Sequence, residues 1–342
     1  MLLCSLQYTP QHSQMIMENS SQVTSFILAA YTEMEDLKYF YVAIFLLSYV
    51  IIVFGNLVLI AVIFVERSLH EPMFFFLCTL VFNGLYGSTA LLPSLMGNML
   101  SQVREVSRAC CLAQVFCLHT YGNAEFTILA LMAYDRYVAI CRPLHYNSIM
   151  SPSRVYKLII FSCVYPILSF SIFFIGTLQL PLCGRVIERL YCLNYSLVKL
   201  SCVDTTLYNI AGQISIIIFT LPQLLMILYS YTQILRICLH SSRESKIKAL
   251  KTCSPHLLAL LNYSVGALFE LYQTRFSMSH VPHGVRILLS LYFLIIPPML
   301  NPVIYGISIQ AIRVKVRKIL HPNKITILLL EKKMEKRNVI DT

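Results

Sequence analysis

Few residues in this 342-residue chain have the type and spacing to do chemistry, and those few suit ion pairing and disulfide formation better than bond cleavage. Asp135 and Arg136 set opposite charges side by side. At a helix end such a pair, taken alone, reads as charges snorkelling to a membrane surface. Glu125 precedes Arg136 by eleven residues, close to three helical turns, so the two share a face about 16 Å apart. Cys111 precedes Arg136 by 25 residues, about 37 Å along one helix, and so marks the opposite end. Cys183, Cys192 and Cys202 follow within one loop. With Cys111 they make four cysteines, enough in an oxidising compartment for two disulfides in three pairings, with Cys110 a competing partner. The histidines are scattered, and no metal-ligand spacing, nucleophile–base pair or phosphate-binding glycine loop is present. The chain therefore reads as a non-enzyme with no metal or cofactor.

These residues must be positioned by elements suited to lipid. The sequence is 57% hydrophobic and 13% charged, with mean hydropathy +0.68. Soluble domains carry about 25% charged residues. A soluble fold of this size cannot hide so much apolar surface. Seven apolar stretches are long enough to cross a bilayer of about 30 Å: roughly 39–65, 73–96, 110–134, 155–180, 206–235, 249–272 and 286–308. Residues 1–38 then form an N-terminal segment, 39–308 the membrane domain and 309–342 a tail. Placing the N-terminus outside leaves eight basic residues outside, and the densest basic runs, 236–251 and 313–337, fall inside, as the positive-inside rule favours. The net charge of +11 thus sets topology and does not mark a nucleic-acid partner. The sequons at Asn19 and Asn194 fall on the outer side and are expected glycosylation sites. Residues 1–16 lack the basic start and apolar core of a signal peptide, so the first span is expected to act as the targeting signal.

The third span closes on Met132-Ala133-Tyr134-Asp135-Arg136-Tyr137-Val138-Ala139-Ile140-Cys141. This segment resembles the MAYDRYVAIC signature of odorant receptors, within the rhodopsin-like G-protein-coupled receptors. Ordered companions support the resemblance: Gly55-Asn56, Pro72-Met73-Phe74, Lys248-Ala249-Leu250-Lys251-Thr252-Cys253-Ser254-Pro255-His256-Leu257, and Pro298-Met299-Leu300-Asn301-Pro302-Val303-Ile304-Tyr305. Together they cover roughly residues 17–320. The resemblance implies an all-α membrane protein: a seven-transmembrane helix bundle with a short amphipathic eighth helix near 312–319. It implies disulfides Cys111–Cys192 and Cys183–Cys202, which tie a loop over a pocket. It implies an activation switch of Asp135, Arg136, Tyr137, Tyr231, Asn301, Pro302 and Tyr305, coupled to a stimulatory heterotrimeric G protein that raises cAMP. It also implies the plasma membrane of olfactory cilia as the location.

A ligand pocket is expected in the outer half of the bundle. His119, Gly122 and Asn123 share a helical face through i, i+3, i+4 spacing. Ser215 and Phe219 lie at similar depth in the fifth span, as do Ser264, Ala267 and Leu271 in the sixth. Mostly apolar walls with a few polar points suit a small odorant. Leu118 stands where amine receptors of the wider class carry an aspartate, which disfavours a cationic amine. Glu125 is the candidate cation or proton site, with Asn56 nearby. In the family a second-span acid commonly completes a cation site, but Gly84 holds that place here. A Glu125 hydrogen-bonded to Asn56, Asn83 or Asn301 is the competing reading. Trp is absent, and Ser264, beside Tyr263, takes the place of the usual sixth-helix tryptophan. A rhodopsin-like receptor for a non-odorant small molecule or peptide is the alternative. A transporter fits less well, because no repeat or paired intramembrane charge is evident.

Overall fold

The computed structural model describes residues 23–275, 281, 283–310 and 312–315. Seven long helices dominate them: α1 Lys38–Val65, α2 Pro72–Leu100, α3 Arg108–Cys141, α4 Pro152–Gln179, α5 Thr206–Leu239, α6 Arg243–Arg275 and α7 His283–Ser308. Pro72 and Pro152 each open a helix, where a missing N–H costs nothing. The Ser107 side chain caps α3 by accepting from the Cys110 backbone N–H at 3.2 Å.

The helices outrun the apolar stretches that announce them. α3 continues to Cys141, α5 to Leu239, and α6 begins at Arg243. Charged residues end an apolar run without ending a helix, since Arg, Lys and Glu are good helix formers. Five segments are long and apolar enough to cross a membrane on their own: Ala29–Val65, Pro72–Leu100, Pro152–Gln179, Thr206–Leu239 and Gly284–Ser308. α3 carries Glu125, Asp135 and Arg136, but it lies at the centre, packed by α2, α4, α5 and α6. Polar residues are tolerated at membrane depth when other helices cover them. α6 opens on Arg243, Glu244, Lys246, Lys248 and Lys251.

α1 shows how burial is divided. Ile52, Asn56, Leu59 and Ile63 form a buried stripe, while Phe54, Leu57 and Phe64 are exposed. Both faces are apolar because one meets helices and the other meets lipid. Large buried side chains gather in two halves of the bundle. One half holds Phe26, Leu91, Leu95, Val115, Tyr121 and Tyr191. The other holds Ile63, Phe76, Leu80, Ile128, Met132 and Tyr305.

A small sheet closes the first of these ends. β1 (Ser25–Leu28) runs antiparallel to β2 (Glu105–Ser107), with Phe26 opposite Val106, and parallel to β3 (Val186–Ile187), with Leu28 opposite Ile187. Phe26 and Leu28 point inward and Ile27 outward, as strand alternation requires. A 3-10 helix, Ala29–Leu37, leads from β1 into α1. Part of the N-terminal segment is thus built into the bundle.

At the opposite end, a 3-10 turn (Pro143–His145) and a one-turn helix (Tyr146–Ile149) follow α3. Beyond α7, residues 312–315 are helical, and Lys315 pairs with Glu66 after α1. Residues 316–319 of the expected eighth helix lie outside the described residues, as does Asn19.

Candidate functional site

The site residues fall into three groups along α3. At the end away from the sheet, Asp135 is fully buried and accepts hydrogen bonds from Arg136 Nε at 3.0 Å, from Arg136 Nη2, and from the Tyr146 hydroxyl at 2.7 Å. Tyr137 packs edge-on against Tyr229 of α5. Tyr231 and His256 join α5 to α6 through Tyr231 Oη and His256 Nδ1. His256 Nε2 lies 2.9 Å from the Leu129 carbonyl of α3. A carbonyl only accepts, so Nε2 carries the proton; Nδ1 of the neutral ring is then the acceptor and Tyr231 the donor. Tyr305 is fully buried, and its hydroxyl has no hydrogen-bond partner among the described residues.

Midway along α3, Glu125 gathers two amides. Asn83 Nδ2 donates to Oε2 at 2.8 Å and Asn301 Nδ2 to Oε1 at 3.0 Å. Asn56 does not reach Glu125; its Nδ2 donates to the Ile52 and Pro298 carbonyls, tying α1 to α7. A Cβ at Gly84 would lie 3.0 Å from Pro298 Cβ, so α7 packs tightly where a second-span acid would start. Pro302 is in ordinary contact range of a Cβ at Gly55.

Toward the sheet, the expected pocket residues divide. Gly122 faces α6 and α7: a Cβ there would lie 3.2 Å from Phe293, and its carbonyl accepts from Tyr263 Oη at 2.7 Å. Asn123, Ser264 and Ala267 are half-buried. His119 turns instead to α4, where its ring stacks on Phe170 at 4.5 Å, and its Nδ1 lies 2.9 Å from the Val115 carbonyl. Ser215 is buried but donates within its own helix, to the Gly212 carbonyl at 2.7 Å. Phe219 packs on Tyr165 and Phe173 of α4 and lines an open groove of about 400 Å³ on the outer face of the bundle. Leu271 is 41% exposed. Phe219 and Leu271 therefore sit at the expected depth but face away from the interior, because counting residues fixes depth and not direction around the helix.

The interior here is filled by aromatic rings that the spacing argument did not collect. Tyr263 packs on Phe293 and Phe126, and Tyr121 on Phe293. The missing tryptophan beside Tyr263 was the available signal. A Cβ at Gly87 would lie 2.5 Å from the Tyr121 ring, so only glycine allows this approach.

A loop roofs these rings. Disulfides join Cys111 to Cys192 and Cys183 to Cys202. Gln114 Oε1 accepts from the Cys192 N–H at 2.9 Å. Asn194 opens a short helix, Asn194–Lys199, on the same loop and is half-buried.

The seven-helix bundle that carries these groups has a counterpart of the same fold among solved structures. The crystal structure of squid rhodopsin matches it with a TM-score of 0.65 at 20% identity, covering 89% of this chain and 91% of that one. The family model described as "Olfactory receptor" matches residues 45–323. Human "Olfactory receptor 52D1" is 34% identical over 295 residues, 85% of this chain and 93% of that protein. The dog "Olfactory receptor-like protein OLF3" is 33% identical over 304 residues, 88% of this chain and 95% of that protein. The chain belongs to the olfactory receptor family. It is a multi-pass membrane protein with a rhodopsin-like fold, and, as an olfactory receptor, a signalling receptor and not an enzyme.

Proposed function

We propose that this protein binds a small odorant in the half of the bundle under the sheet and activates a stimulatory heterotrimeric G protein, raising cAMP. The sheet end faces outward and the Asp135–Arg136 end inward, as the basic runs at 236–251 and 313–337 support. Residues 39–308 are the receptor domain, residues 1–38 its extracellular N-terminal segment and 309–342 its cytoplasmic tail. Glycans on Asn19 and Asn194 fit this orientation, and the cilia of olfactory neurons fit the family.

The observation that carries the reading is the buried Asp135–Arg136 pair, held by Tyr146 at one end of α3, while the other end is tethered to the roof. A bound ligand favours a rearranged bundle only through its differential affinity for that state. Release of Arg136 then exposes an inner surface for the G protein. Tyr137, Tyr231, Asn301, Pro302 and Tyr305 complete the switch. Gly122, Asn123, Ser264 and Ala267, with Tyr263 and Phe293, form the ligand wall; Ser215 and His119 flank it. Glu125 is held by Asn83 and Asn301, which favours a hydrogen-bonded carboxyl over a cation site.

A panel of odorants read out by cAMP in cells tests this. A ligand response that vanishes in Arg136→Ala and shifts in potency in Asn123→Ala supports the reading. Ligand-evoked flux without G protein overturns it.

A further inference from the structure

Four consecutive loop residues, Arg189 to Cys192, reach four separate parts of the receptor. Arg189 Nη1 donates to Glu270 Oε1 of α6 at 3.2 Å, and its Nη2 to the Gln273 carbonyl at 3.3 Å. The Leu190 carbonyl accepts from Tyr31 Oη of the N-terminal segment at 2.8 Å. Tyr191 Oη donates to the Ser290 carbonyl of α7 at 3.2 Å. Cys192 is bonded to Cys111 of α3. Leu190, Tyr191 and Cys192 are all buried.

These ties are not alike. The α3 tie is covalent and the Tyr31 tie is a single neutral hydrogen bond, while the Tyr191 hydroxyl, besides its bond to Ser290, also interacts with the Glu270 carboxylate. The α6 tie is the ionic one. Glu270 is 9% exposed and also accepts from Gln273 Nε2 at 2.5 Å. α6 is gripped again further in, where His256 meets Leu129 and Tyr231. Fourteen residues separate Glu270 from His256, about 21 Å of one helix. The same rod is thus pinned near its outer end and again near its middle, with Pro255 beside the second pin.

We propose that Arg189 and Glu270 are positioning residues that latch the roof loop to the outer end of α6 and so hold the inner end of α6 in its resting place. A ligand that presses on the roof or on Tyr263 loads this pair, because it is the charged tie between the roof and α6 and, unlike the α3 tie, can open. The inference rests on the receptor reading above, but its test does not need a G protein.

The test uses the full-length receptor in lipid nanodiscs, spin-labelled at the inner ends of α3 and α6, with cAMP measured in parallel in cells. Arg189→Glu and Glu270→Arg each break the pair; together they restore it with the charges exchanged. Each single variant is expected to shift the α3–α6 distance distribution toward longer values without ligand and to raise agonist-free cAMP about tenfold, the scale of a lost charge-assisted hydrogen bond. The double variant is expected to return toward the wild-type distances. A merely structural role would lower surface expression alike in all three. Should a single variant fail to reach the surface, Glu270→Gln keeps the shape, removes the charge and is read the same way. Unchanged distances in the single variants, or in Glu270→Gln where it stands in for them, overturn the latch, as does a double variant no closer to wild type than its parents. Distances that move without any cAMP response uphold the latch and count against the coupling reading instead.

Discussion

The Tyr146 hydroxyl donates to Asp135 Oδ1 at 2.7 Å, so the carboxylate that pairs with Arg136 is held from two sides. Tyr146 stands outside α3, in the turn that follows it. Burial, and then the Asp135 charge, push its phenol far above the usual tyrosine range, so it remains a donor at every physiological pH. Tyr146→Phe removes that donor and little else. A hydrogen bond to a charged group contributes about 1.5–3 kcal/mol. The expected outcome is agonist-free signalling raised about tenfold per receptor at the surface. Basal cAMP equal to wild type would show that Arg136 alone sets the rest state.

The Tyr231–His256 contact predicts an energetic coupling. Tyr231→Phe leaves His256 Nδ1 buried without its donor, and His256→Leu leaves the Tyr231 hydroxyl without its acceptor. Each single change is expected to lower stability by about 1–3 kcal/mol. The double change is expected to cost less than their sum, with a coupling of about 1 kcal/mol. Thermal melts of the purified receptor in detergent measure all four corners of the cycle. Strict additivity would mean the two side chains do not interact.

Much of the architecture was legible in the sequence because a membrane span has a long, unambiguous signature. The seven helices follow from stretches of about 20 apolar residues. β1 was not legible. It is four residues long, and its partners lie in two loops, at Glu105–Ser107 and Val186–Ile187, so its pairing is a tertiary event. In the site, depth could be counted at 1.5 Å per residue. Direction could not, since lipid-facing and helix-facing sides are both apolar in α5 and α6. Phe219 and Leu271 show the consequence. Tyr146 was not singled out, and His256 read only as a motif residue among scattered histidines, for a related reason: each acts through a partner on another element.

Gly87 offers a steric prediction. Its missing Cβ would meet the Tyr121 ring at 2.5 Å, and Tyr121 is fully buried with no room to retreat. Gly87→Ala should therefore overpack the interface of α2 and α3, costing about 1–3 kcal/mol. Gly212 of α5 is the matched control, because nothing lies within 4 Å of a Cβ built there. Gly212→Ala should be neutral or stabilising by up to about 1 kcal/mol, the helix preference of Ala over Gly. Surface expression and melting temperature of the pair separate packing from propensity. Equal behaviour of the two variants would sink the steric account.

Glu125 gives the last test, which separates hydrogen bonding from cation binding. Both of its oxygens accept from amide N–H groups, Asn83 on one side and Asn301 on the other. Glu125→Gln turns one acceptor into an NH2 group, which must face another NH2 whichever way the amide is flipped. The surroundings offer a costly choice: a buried donor left unpaired, or an Asn rotated away from its own partner. Asn83 cannot rotate freely, since its Nδ2 also donates to the Tyr121 carbonyl at 3.0 Å. The expected loss is about 1–3 kcal/mol of stability, seen as a lower melting temperature in sodium and potassium buffers alike. A cation held by Glu125 predicts a different pattern, in which sodium stabilises the wild type and the variant loses that response. Melting curves across a sodium series in wild type and Glu125→Gln decide between them, and a sodium-dependent rise confined to wild type would refute the hydrogen-bonded reading.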